Sequence, residues 1–216
     1  MAEYAYDETV ICNLALDRIG AKRISTLSST TSPQAEKCRL HYYHDRNVLQ
    51  RLFMWRFNAD RAQLAQDASW DTGTNDQQFE WTYRYALPSD FLRLRAIYDS
   101  VGTKRHEATY RCAIEEKYVY SNESTIQIRY SKLVTNPTQF DPVFIEILKL
   151  KLSLSLYHGI AKAGTIGHLE LLQKEYKEAM NLARSLDKAE QNLLGRDAAR
   201  RWIDARNVNR VGRMIV

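Results

Sequence analysis

The sequence is poor in the residues that build compact chemical sites. Its 216 residues include only 8 glycines and 3 cysteines. The cysteines (Cys12, Cys38 and Cys112) are far apart and form no C-x-x-C pair, which excludes a zinc framework and a disulfide scaffold. The phosphate-binding glycine motifs are missing, as are the G-x-S-x-G and H-E-x-x-H motifs of hydrolases. The sequence therefore predicts neither catalytic activity nor a cofactor.

Long apolar runs are missing as well. No stretch approaches the roughly 20 apolar residues that a membrane helix requires. The first ten residues do not place an apolar region after a basic one, as a signal peptide would. We therefore expect no contact with a membrane, and a reducing cytoplasm is the simplest environment for three separate cysteines.

Positive charge is concentrated at the C-terminal end. The net charge is +5, and residues 196–216 contain six arginines and two aspartates, so the preceding chain is almost neutral. We call residues 196–216 the arm. Its basic, aromatic and terminal apolar residues are Arg196, Arg200, Arg201, Trp202, Arg206, Arg210, Arg213, Met214, Ile215 and Val216. A cationic segment on a neutral body indicates a segment with its own partner.

Two kinds of partner fit the arm. Arginines neutralise phosphates and Trp202 can stack on a base, which favours a nucleic acid. Alternatively, the arm forms an amphipathic helix that lies in a groove on another protein, with Trp202 as the anchor. The apolar tip favours the protein groove, because a solvated tail gains nothing from apolar residues.

Hydrophobic periodicity predicts helices on both sides of a β-rich insertion. Two helices are expected in residues 1–56, the second beginning with Ser32 as N-cap and running to about Trp55. Two more are expected in residues 138–195, the first capped by Asp141. The fold class predicted is mainly α: a four-helix bundle of two N-terminal and two C-terminal helices, a small antiparallel β domain at 57–137, and an extended arm.

The β-rich segment contains an aromatic strand. Trp81, Tyr83, Tyr85 and Leu87 share one face of the strand and alternate with Thr82, Arg84 and Ala86, which predicts that the aromatic face is buried; Pro88 ends the strand. The sequence "SNES" is interpreted as a hairpin turn between the strands "KYVY" and "TIQIRY".

Two weak candidates for chemistry lie on the second helix. His41 and His44 are one turn apart beside Asp45, a spacing that could share a metal ion. Cys38 and His41 could act as nucleophile and base. Neither has the additional ligands or oxyanion-binding groups that such sites need, so a polar helix face and a core cysteine are the favoured interpretations.

Three sequence motifs, in order, resemble the head-to-tail adaptors of short-tailed bacteriophages, also called tail tubular protein A. The first is "NLALDRIG", the second "WRF", and the third "WTYRYALPSDFLRL". Their defining residues here are Asn13, Gly20, Trp55, Trp81, Tyr83, Tyr85, Pro88 and Asp90. The resemblance covers about residues 9–98, with Asn58 standing where alanine is expected.

The resemblance implies structural work in a virion. Such adaptors form a ring, usually of twelve copies, beneath the portal protein and above the tail nozzle protein. DNA passes through the ring without sequence-specific contacts, and the C-terminal arm docks on the portal. The chain would thus be assembled in the host cytoplasm and become part of the virion neck. The alternative is a nucleic-acid-binding protein that uses the arginine-rich arm.

Overall fold

The computed structural model describes residues 6–70, 80–98, 104–105, 112–160 and 167–186. Four α-helices and one short 3₁₀ turn lie within these ranges. They are α1 (Glu8–Arg18), α2 (Pro33–Leu52), the 3₁₀ turn (Pro137–Gln139), α3 (Pro142–Ile160) and α4 (167–186).

The helices begin where side chains can satisfy their first backbone N–H groups. The Asp7 carboxylate accepts a hydrogen bond from the Val10 N–H at 2.7 Å, and Ser32 accepts one from Ala35. Asp141 does the same for Val143 at 2.7 Å. The predicted caps Ser32 and Asp141 are therefore confirmed, whereas α2 ends at Leu52 and not near Trp55.

Helix α3 is the centre of the helical part. Its buried residues are distributed around the helix axis and include Phe144, Ile145, Ile147 and Leu150. A helix that is apolar all round must be enclosed, since any exposed side would put apolar surface in water. Helices α1 and α2 accordingly pack on α3 and make few contacts with each other.

The prediction of a four-helix bundle is therefore wrong. A bundle needs helices that each turn one apolar stripe towards a shared axis. Here α3 occupies the position of that axis, and α1 is only 11 residues long. Helix α4 contributes Leu172, Met180 and Ala183 to the same core, and Glu175 forms an ion pair with Arg18 of α1.

The strands form two antiparallel sheets and not one small sheet. The strands are β1 (Ala59–Gln63), β2 (Tyr83–Ala86), β3 (Phe91–Tyr98), β4 (Lys104–Arg105), β5 (Cys112–Glu115), β6 (Tyr118–Ser121) and β7 (Gln127–Lys132). Sheet A has the strand order β1-β7-β3-β4, and sheet B has the order β2-β6-β5. Side chains of both sheets share one apolar core, which includes Tyr85, Val119, Ile97 and Ile128.

The predicted "SNES" hairpin is also wrong. Strand β6 pairs with β2 and β5, whereas β7 pairs with β1 and β3. The polar residues between them carry the chain from one sheet to the other. Local sequence marks the turn, but the pairing is decided by burial: Ile126, Ile128 and Tyr130 pack between the two sheets.

The arm at 196–216 lies outside the described residues. The boundaries expected at 56/57 and 137/138 stay predictions. The helices share one apolar core and the sheets share a second one. No helix in the described ranges combines the length and the apolar character that crossing a membrane requires.

Candidate interaction surfaces

The first motif fixes the loop that follows α1. The Asn13 amide donates to the Ile24 carbonyl at 2.9 Å and accepts from the Ile24 N–H at 2.8 Å. Gly20, at the end of α1, has a φ of +66°, a left-handed conformation that glycine adopts without strain. Gly20 thus lets the chain turn at the end of α1, and Asn13 binds the following loop to the helix.

The second motif lies at the end of α2. The indole Nε1 of Trp55 donates to the Leu49 carbonyl at 2.9 Å. The Trp55 ring meets the edge of Phe144, with ring centroids 5.2 Å apart, and Phe57 packs on the same phenylalanine. Trp55 therefore closes the end of α2 over the central helix α3.

Asn58, which departs from the resemblance, joins the helices to sheet A. Its side chain is fully buried, donates to the Gln50 carbonyl and accepts from the guanidinium of Arg95 on β3. Arg95 also donates to the Ser131 hydroxyl at 2.8 Å and to the Trp55 carbonyl. An alanine at position 58 would leave Arg95 without one of these acceptors, so the asparagine has a structural role.

The third motif builds the edge of sheet B and the turn into sheet A. Tyr85 is buried, and Tyr83 packs against the same core, which confirms the predicted inward face. Trp81 precedes the strand and is half-buried, so the strand is shorter than expected. The Pro88 carbonyl accepts from Phe91 at 3.0 Å, and the Asp90 carboxylate accepts from the Tyr130 hydroxyl at 3.1 Å.

The residues of the candidate metal site, His41, His44 and Asp45, differ in their exposure to solvent. His44 is exposed and His41 half-buried, whereas Asp45 is 3% exposed and accepts a hydrogen bond from Ser155 at 2.7 Å. Burial raises the pKa of the Asp45 carboxyl. Within the ranges that the structure describes, no three His, Cys, Asp or Glu side chains converge as metal ligands would.

Cys38 lies in the core and pairs with Cys12. Both thiols are buried, one on α2 and the other on α1. The hydrogen bond between the two thiols and their burial raise the pKa of Cys12. The same hydrogen bond lowers the pKa of Cys38, but Cys38 is fully buried, so its sulfur cannot reach a substrate. The structure thus places Cys38 with Cys12 and not with His41.

The described helical part contains an apolar groove. It lies where the end of α2, the start of α3 and the last described turn of α4 meet, with a volume of about 80 Å³. Its lining residues are Phe53, Met54, Trp55, Arg56, Asp141, Val143, Ala183 and Leu186. Met54 and Leu186 are exposed there, and Leu182 lies one turn before Leu186 on α4 and is 56% exposed.

The groove lies beside the point from which the chain continues towards the arm. Leu186 is the last described residue, and the sequence reaches Arg196 after nine more residues. The arm residues from Arg196 to Val216 themselves lie outside the described part. Within the described residues, apolar side chains are thus exposed at the end of α4 beside the groove.

Sequence reasoning missed two groups of residues. The groove combines residues from three separate segments, so no local pattern reveals it. Gln50 was missed although a signal existed: its polar amide interrupts the apolar face of α2, and a buried amide needs partners. Asn58 was noticed only as a departure from a motif.

No protein-family model matches the chain, and no curated protein is significantly similar to it.

Proposed function

We propose that this chain is a structural head-to-tail adaptor of a phage virion. Copies assemble as a ring beneath the portal protein and connect it to the tail nozzle, and DNA passes through the ring. The observation that carries the proposal is the order and spacing of the three motifs, from Asn13 through Trp55 to Asp90. Ring closure to twelve copies is part of the proposal.

The contacts of the motif residues support this proposal. Asn13, Trp55 and Asp90 each fasten a connecting segment to a neighbouring element. An adaptor needs such fixed connections, because each copy in a ring meets its neighbours through two different surfaces whose relative orientation determines closure.

The groove supports a protein contact at the end of α4. Exposed leucines at 182 and 186 leave apolar surface in water, which is costly unless a partner covers it. We propose that groove and arm contact the portal together, with the arm supplying Trp202 and the apolar tip.

Electron microscopy of this chain mixed with the portal protein from the same genome tests the proposal. The full-length chain is compared with a version that ends at Leu194. A ring added beneath the portal by the full-length chain alone supports the adaptor and assigns the arm to docking. If both versions form rings beneath the portal, the adaptor proposal is retained and the portal-binding surface is assigned to the helical part. No association of either version contradicts the proposal and leads to the nucleic-acid alternative.

A further inference from the structure

Two arginines lie directly opposite each other on neighbouring strands of sheet A. Arg61 of β1 pairs with Arg129 of β7, and in the next row Gln63 pairs with Gln127, which also faces Tyr98 of β3. The alternate residues Ala62, Ile97 and Ile128 pack into the core between the sheets. The arginine and glutamine rows therefore lie on the opposite, outward face of sheet A.

This arrangement has an electrostatic cost. Like charges directly opposite each other destabilise an antiparallel pair, because their side chains are close. Neither guanidinium forms an ion pair with a residue in the described ranges, and the nearest carboxylate along β1, Asp60, pairs with Lys132 at 2.8 Å. An anion held between Arg61 and Arg129 would remove that cost.

The surface beside this arginine pair is concave. A depression of about 330 Å³ is lined by Arg61, Ala62, Gln63, Tyr98, Gln127 and Ile128. The other end of the same face is covered by the helical part, where Arg95 bonds to Ser131 and Asn58. Arg61 thus lines the depression, and Arg129 lies opposite it on β7, away from the end that the described helices cover.

The lining favours phosphate over a protein surface. Protein interfaces depend on apolar or aromatic anchors in buried pockets. Here Ile128 is 1% exposed and contributes almost no side-chain surface, so the polar groups of the depression are the Arg61 guanidinium, the amides of Gln63 and Gln127 and the Tyr98 phenol, with Arg129 opposite Arg61 on the neighbouring strand. Guanidinium groups form bidentate contacts with phosphates, and amides add hydrogen-bond donors.

We propose that the outward face of sheet A around Arg61 and Arg129 binds the phosphate backbone of DNA without reading its sequence. This inference rests on the proposed function, because an adaptor ring brings DNA past one surface of each copy. It assigns that surface: the open end of sheet A faces the lumen. The binding is weak and depends on salt, since each copy contributes two arginines.

The salt dependence of DNA binding tests the inference with the full-length chain. The double variant Arg61→Gln, Arg129→Gln is compared with the wild type on a random-sequence duplex of fixed length. Removing two phosphate contacts lowers the slope of log K against log salt concentration by about two. The double variant Lys174→Gln, Lys177→Gln removes the same charge from an exposed face of α4 and should leave the slope unchanged.

A double variant that conserves both charges controls for an effect of misfolding on DNA binding. Arg61→Lys with Arg129→Lys should keep most of the slope, and the glutamine variant should unfold at the same or a higher denaturant concentration, because it removes a like-charge pair. The arginines of the arm are present in the wild type and in every variant, so their contribution to the slope cancels in the comparison. Equal slopes for the wild type and the glutamine variant would overturn the inference.

Portal association distinguishes this inference from the proposed function. The glutamine variant should associate with the portal as the wild type does. If the glutamine variant no longer associates with the portal but binds DNA with the same salt dependence as the wild type, the face contacts a protein and the inference is wrong. If the wild type does not associate with the portal while the slope difference persists, the adaptor is wrong and the phosphate-binding face stands.

Discussion

Gln50 of α2 pairs its side-chain amide with both backbone groups of Val134. The amide nitrogen donates to the Val134 carbonyl at 2.8 Å, and the amide oxygen accepts from the Val134 N–H at 2.9 Å. Gln50 is fully buried, and Val134 lies between β7 and α3. The Gln50 side chain thus provides hydrogen-bond partners for both the N–H and the carbonyl of Val134, where the chain returns from the sheets to the helices. Asn13 does the same for Ile24.

We expect Gln50→Leu to destabilise the protein by about 2 kcal/mol or more, because it leaves a buried N–H and a buried carbonyl without partners. Urea denaturation at pH 7 measures this change. Gln139→Leu, at an exposed position in the same connecting segment, serves as the control and should change stability by less than about 0.5 kcal/mol. Equal effects of the two substitutions would contradict the role assigned to Gln50.

Much of the local structure could be predicted from sequence. Ser32 and Asp141 mark helix starts because short polar side chains satisfy the first backbone N–H groups. Alternation predicted that Tyr83 and Tyr85 face a core. Helix caps and strand alternation depend on residues that are close together in the sequence, so the sequence alone can predict them.

The arrangement of these elements could not be predicted in the same way. Helix α3 buries Phe144, Ile145 and Leu150 on different sides of its axis, and this wide distribution of apolar residues indicates a central helix. The bundle prediction ignored that signal. The pairing of β7 with β1 and β3 depends on contacts between residues some 70 and 35 positions apart, which no local pattern encodes.

Gly20→Ala tests the turn after α1. No atom lies within 4 Å of the position that a Cβ would take, so the cost comes only from the positive φ of +66°. We expect a loss of about 1 kcal/mol, and a smaller loss for Gly20→Asn, because asparagine tolerates this conformation better. Thermal or urea unfolding measures both, and equal losses for the two variants would exclude backbone strain as the cause.

Asp45 should make stability depend on pH. Burial raises its pKa in the folded chain, whereas Ser155, Lys151, His41 and His44 act in the opposite direction. Between the unfolded and folded pKa values, the folded chain therefore binds more protons at Asp45 than the unfolded chain does. Stability from this group is fully present below the unfolded pKa of about 3.9 and is lost as pH rises through the folded pKa.

The variant Asp45→Asn removes this ionisation and keeps an oxygen that accepts the Ser155 hydroxyl. We expect it to be more stable than the wild type at pH 7, with the difference shrinking as pH falls towards about 4. Urea denaturation across this range measures the difference. Glu178→Gln on the exposed face of α4 controls for the loss of a negative charge. A constant advantage at every pH would show that packing, not ionisation, is responsible.

Leu186→Lys tests the groove as a docking surface. Leu186 lines the groove and is 42% exposed, so the substitution should change the free energy of unfolding by less than about 0.5 kcal/mol. A lysine would place a charge against the apolar wall that the partner has to cover. We therefore expect portal association to weaken about tenfold or more, equivalent to about 1.4 kcal/mol.

Leu171→Lys is the matched control for this experiment. Leu171 lies on the same helix, is 52% exposed and does not line the groove. Both variants carry the same added charge, so a general electrostatic effect on portal binding would appear in both, whereas a contact at the groove affects only Leu186→Lys. Portal binding that is weakened equally by the two variants would remove the groove from the docking surface and leave the arm as its only candidate.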